Sequence, residues 1–279
     1  MVSPHGINTK DPQAVAALAR TIFREIGAEP GLPFIDRALK DATDMFEGRF
    51  SGYLGIDMFY HDFEHTLQAT TCLLQIIVGR HHAGATPVLT QRDCELALLA
   101  VLLHDTGYLK RTEDPQGTGA KYTLTHVRRS CEFARAYLPQ LDILPEEIED
   151  ITTAISCTGP ANRISNAVFR RPEARLLACI LVTSDYLGQM GASDYVDELP
   201  ILFREFAEAY DFEAVPPEKR MFHSFEELRS KTPAFWEKYV RPMLDTEAGG
   251  VHQFLNHTGQ PNPYFEAVEA NIAKARQQT

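Results

Sequence analysis

Residues 96–107 read LALLAVLLHDTG, an unbroken apolar run closed by a histidine, an aspartate, a threonine and a glycine. Apolar and polar positions do not alternate in it, so it is no half-buried strand; with the turn before it, it predicts a buried helix over 90–104, broken at Gly107. Residues 172–190, PEARLLACILVTSDYLGQM, repeat the pattern, with apolar side chains around nearly the whole circumference and Asp185 closing the run. Working outward, the other segments also carry apolar residues at helical spacing. Asp11 caps a first helix to about residue 27, and Gly31 and Pro33 separate it from a second across 38–45. Further helices are expected over 61–78, ending near Gly79, over 125–137, stopped by Pro139, and from Pro145 to 155, ended by Gly159 and Pro160. Beyond Ser193 come a helix to about 210, a Pro216-Pro217 turn, a helix over 235–243, a flexible joint at Gly249-Gly250, and a last helix over 264–275. The turn-rich run KRTEDPQGTGAK, residues 110–121, reads as a loop. The expectation is an all-α chain of one domain, 1–279, with a core over about 59–190, a helical lead-in over 1–58 and a helical extension over 191–279.

The composition, 44% hydrophobic and 23% charged, excludes global disorder. Twenty-seven Lys and Arg against 38 Asp and Glu give a formal net charge of -11, which provides no basic surface for polymeric nucleic acid. The longest apolar runs, 96–103 and 176–182, fall far short of the roughly 20 residues of a membrane-spanning helix. The start MVSPHGINTKDPQ has no basic segment leading into an apolar one, so a cytoplasmic location without a membrane partner is expected. Cys72, Cys94, Cys131, Cys157 and Cys179 show no CxxC spacing and read as reduced, buried thiols.

Four of the ten histidines, His61, His65, His104 and His126, lie within or beside the apolar helices. His61 and His65 are spaced i, i+4 in YHDFEH, which on one helix aims both imidazoles from the same face. The His104-Asp105 doublet ends a buried helix, where an unpaired carboxylate is costly and a divalent cation compensates it while using imidazole as a second ligand. Asp185 adds a third such element. His81, His82, His223, His252 and His257 lack neighbouring motif residues and read as structural or surface histidines. Lys110, Lys121, Arg111, Arg128 and Arg129 flank the doublet's loop; Lys110, Arg128 and Arg129 are candidate phosphate contacts.

The order His65, His104-Asp105, Asp185, with the segments YHDFEH, LLHDTGY and SDYLG, resembles the HD-domain metal-dependent phosphohydrolase superfamily. The resemblance implies a helical bundle in which His65, His104, Asp105 and Asp185 hold one or two divalent metals, among Mn, Fe, Zn, Co, Ni or Mg. Asp105 would bridge two ions, and His126 would ligate the second. YHDFEH also resembles the YHNxxH motif of cyclic-nucleotide phosphodiesterases, in which the first histidine protonates the leaving oxygen and the second is a ligand; these are His61 and His65, and Asp62 departs from the motif's asparagine. Cys157 stands near where some relatives carry a further histidine, and reads as inert. The expected activity is hydrolysis of a small nucleotide or related phosphate ester, a phosphodiester before a monoester, with His61 and Asp105 catalytic. The alternatives are a di-iron oxygenase of the same superfamily and a non-catalytic regulatory module. The C-terminal helices are expected either to cap the pocket or to form a homodimer contact.

Overall fold

The computed structural model describes residue 4 and residues 6–28, 31–159, 162–256 and 261–277. Pro160 and His257 lie outside them. Among the described residues the chain is all helical, without strands, and none of its helices is long and apolar enough to cross a membrane.

Two helices with apolar residues on nearly every side form the centre. Helix α3 (Phe63–His82) and helix α7 (Pro172–Met190) make the most extensive pair. Their backbones come close at Gly188, where a Cβ would lie 2.8 Å from the amide nitrogen of Ala69. Helix α4 (Gln91–Leu103) packs on both, and its start is fixed by a capping box in which Thr90 and Asp93 each accept from the other's backbone N–H. Helix α6 (Pro145–Ser156) covers α4 and α7, and α5 (His126–Tyr137) packs on α6 and on the single-turn helix Thr106–Tyr108.

The lead-in consists of α1 (Pro12–Glu25), capped by Asp11 and packed on α3, and α2 (Leu32–Phe46), packed on α4. Helix α2 begins earlier than its apolar pattern indicated because Pro33 stands in its first turn, where the missing N–H has no intrahelical partner to lose. The extension comprises α8 (Tyr195–Phe212), α9 (Phe225–Phe235), α10 (Arg241–Thr246) and α11 (Pro263–Gln277), with a π-helical segment, Trp236–Val240, joining α9 to α10. The expected helix over 235–243 is thus the later part of a longer helical stretch that Ser224 opens by accepting from Glu227 N–H. Gly249 and Gly250, expected as a flexible joint, form a defined left-handed turn with φ of 65° and 67°, closed by Gly250 N–H to Leu244 O. Helix α11 returns to the centre, where Asn271 Nδ2 donates to Met190 O and Ala192 O at 2.8 and 2.7 Å. One continuous apolar cluster runs from Ala16 in α1 to Ala275 in α11.

Candidate metal centre

The buried end of α4 meets the first turn of α3 and the later half of α7. Burial of polar groups there is nearly complete: His104 is 1% exposed, Asp105 3%, His65 4% and Asp185 7%. His65 Nε2 lies 3.3 Å from Asp105 Oδ2 and 3.3 Å from Asp185 Oδ1; His104 Nε2 lies 3.2 and 3.6 Å from the same two atoms. One donor atom from each of His65, His104 and Asp185 falls within 4.8 Å of the others. His126 Nε2, at the start of α5, is 3.7 Å from Asp105 Oδ1.

His104 Nδ1 is 2.7 Å from Val101 O, and His126 Nδ1 is 2.7 Å from Thr123 O. A carbonyl only accepts, so both Nδ1 atoms carry protons and both Nε2 atoms face the cluster, each with a lone pair to offer when its ring is neutral. Yet His104 Nε2 and Asp105 Oδ2 make no hydrogen bond at all. Two buried atoms that sit close but do not bond each other face a common point between them, as ligands of one cation do. Without a cation, burial opposes charge on His65 and His104, but the Asp105 and Asp185 carboxylates outweigh it. His65 is pushed up to about 9 and His104 well above its ordinary value, while both carboxyls fall below the usual range. Burial pulls His126 the other way, below its ordinary value, and so favours the neutral, ligating form.

His61 does not share a helical face with His65. The α3 N-cap is Asp62, whose side chain accepts from His65 N–H at 3.0 Å, so His61 precedes the helix. It reaches the site by another route, its ring centroid 5.6 Å from that of His65 and 6.2 Å from that of His126. Tyr108 stacks between His61, at 4.8 Å, and His126, at 4.5 Å. His61 Nδ1 is 2.6 Å from Glu205 Oε2 on α8, and Glu205 Oε1 accepts from Tyr60 N–H at 2.9 Å. Glu205 is buried and escaped the sequence reading; the one signal for it is that it stands one turn before Ala209 on the face of α8 that is otherwise apolar.

The basic candidates lie elsewhere. Lys110 Nζ is enclosed by Asp57 Oδ2 at 2.7 Å, Gly117 O at 2.6 Å and Pro115 O at 3.2 Å, which uses its three donors. Arg129 donates to Gly107 O and Leu109 O at 2.7 and 2.8 Å with its guanidinium over the Tyr122 ring. Both anchor the loop around the doublet. Arg128 is exposed and pairs with Glu132 one turn along α5. Cys157 donates to Thr153 O, and burial pushes its thiol up to about 11, so it stays protonated.

The loop is tied to the site by a close approach. A Cβ on Gly107 would fall 1.9 Å from His126 O, and Gly107 N–H donates to Ser130 Oγ at 2.8 Å. Only glycine lets the turn after Asp105 pass the start of α5, which is what sets His126 beside Asp105. Comparison with protein-family models and with curated proteins gives no match for the chain.

Proposed function

We propose that the protein is a divalent-metal-dependent phosphohydrolase of the HD-domain type, acting on a small phosphate ester such as a nucleotide, a phosphodiester before a monoester. The observation that supports this most is the convergence of buried, mutually unbonded His104 Nε2 and Asp105 Oδ2 with His65 and Asp185. These four residues would hold one ion, and His126 with Asp105 a second. When bound, the metal supplies Lewis acidity toward the phosphoryl oxygens and lowers the pKa of water to near neutrality.

The chain's own groups account for the rest. Asp105 orients the attacking water, whose oxygen forms the new bond to phosphorus as the bond to the leaving oxygen breaks. His61, with Nδ1 held by Glu205, keeps Nε2 free to pass a proton to that leaving oxygen. Glu205 is a positioning residue, and Tyr108 keeps the His61 and His126 rings apart.

The test is turnover of a panel of nucleotide monoesters, cyclic and linear diesters and dinucleoside polyphosphates, with Mn or Fe supplied, for the wild type and Asp105→Ala. The variant is expected to lose hydrolysis and bound metal together. Unchanged metal content and unchanged turnover in it would remove the assignment. A wild-type protein that binds iron, turns over none of the esters and consumes oxygen would favour the oxygenase chemistry.

A further inference from the structure

A second cleft borders the metal centre and is acidic. Asp62 and Glu64 from the start of α3, Glu198 from α8, the rings of Tyr60 and Tyr195, and Gln68 line it. His65 forms a wall common to the cleft and the centre, and Gln189 links them, accepting from Tyr60 Oη at 3.0 Å and donating to Asp185 Oδ1 at 3.1 Å. Among the described residues, the ion pair on these carboxylates is Lys10 to Glu64, 3.6 Å long with the lysine largely exposed. Asp194, which precedes α8, has a buried Oδ1 with no hydrogen-bond partner. Burial and the neighbouring carboxylates, Asp194 first, push Glu198 up to about 8. The cleft is short of positive charge.

Gln68 indicates what is missing. It is 9% exposed, it faces the cleft, and its carboxamide has no hydrogen bond to the described residues. A carboxamide that lines a cleft with three carboxylates and two aromatic rings completes a set of acceptors and π-faces for an N–H cation. The carboxylates do not converge as ligands of a divalent ion do: among the described residues, such convergence occurs at His65, His104 and Asp185. The enclosed space is about that of one water-sized group, which suits a primary ammonium.

We propose that this cleft is an ammonium subsite, seating the protonated primary amine of an aminoalkyl phosphate ester whose phosphate lies at the metal centre. The part concerning the phosphate rests on the phosphohydrolase reading; the ammonium site does not. It favours an amino-alcohol ester over an unmodified nucleotide, whose base amines are uncharged.

The test is calorimetric titration of the metal-loaded protein with ethanolamine, tetramethylammonium and potassium chloride at constant ionic strength. Expected is saturable binding of ethanolamine, weakened at least ~10-fold by Glu198→Gln and by Gln68→Leu, with neither of the other cations competing. Absence of saturable ethanolamine binding, an affinity unchanged in both variants, or potassium bound as tightly as ethanolamine overturns the proposal. Turnover of ethanolamine phosphate against ethyl phosphate then separates the two readings. A KM at least ~10-fold lower for the amino ester, with the preference lost in Glu198→Gln, supports the subsite as a substrate contact. Equal KM values for both esters overturn that contact and leave the phosphohydrolase reading standing. Turnover of neither ester while ethanolamine still binds overturns the amino ester as substrate and leaves the ammonium site, the phosphohydrolase reading being decided by the ester panel.

Discussion

Glu205 holds His61 Nδ1 at 2.6 Å, as the proposed proton transfer from His61 to a leaving oxygen requires. Glu205→Gln is expected to lower kcat by about 10-fold or more with KM little changed, and Glu205→Asp to restore part of it. Steady-state kinetics on the best substrate of the panel check this, and an unaltered kcat in the glutamine variant would contradict the positioning role. His65 offers a second measurement. In the metal-free protein its imidazolium stands between Asp105 and Asp185 with a pKa raised from 6.5 to about 9. The stability this contributes is complete below pH 6.5 and is lost as pH rises through 9. Chelator-treated protein is therefore expected to denature more easily above pH 9 than at 6.5, and added metal, which replaces the proton, to abolish that trend. Equal denaturation midpoints across the window would show that His65 is not charged in the folded, metal-free state.

At the scale of the element, the turn Thr106–Tyr108 and the start of α5 act as one unit because Gly107 allows their contact. Gly107→Ala forces the two backbones apart. The expected result is a loss of about 2 kcal/mol in urea denaturation and fewer metal equivalents bound, since His126 moves from Asp105. Wild-type stability and stoichiometry in this variant would refute the linkage. The elements also differ in how far they were legible. Helix α7 follows its apolar pattern from Pro172 to Met190, and α4 is announced by its run and its Thr90 cap. Helix α9 was missed because its sequence, FEELRSKTPAF, is charged and contains Pro233. It forms because Ser224 caps it and Leu228 and Thr232 find cover from α8 and α11. The i, i+4 spacing of His61 and His65 suits a helix that includes both, whereas the Asp62 side chain claims the His65 N–H and starts α3 after it, two residues beyond His61.

Over the whole molecule, the C-terminal extension does more than cover the centre. Helix α8 brings both Glu205 and Glu198 to the site, and α11 secures the end of α7 through Asn271. Asn271→Ala leaves two carbonyls without their donor in a buried setting and is expected to cost about 1–3 kcal/mol by chemical denaturation. A loss within experimental error would mean that water replaces the amide and that the tie is not structural. The helical class, the two central apolar helices and the polar groups His104, Asp105 and Asp185 that close apolar runs are legible in one dimension, because a polar residue ending an apolar run is a local pattern, whereas His65 and His126 were singled out by the resemblance. Only the tertiary structure decided that Glu205 holds His61 from 144 positions away, that Lys110 spends its charge on its own loop, and that an acidic cleft adjoins the centre. Helical periodicity tells which face of an element is buried, but the identity of the opposing face depends on how the helices pack, and a charge takes its role from the partner that packing brings.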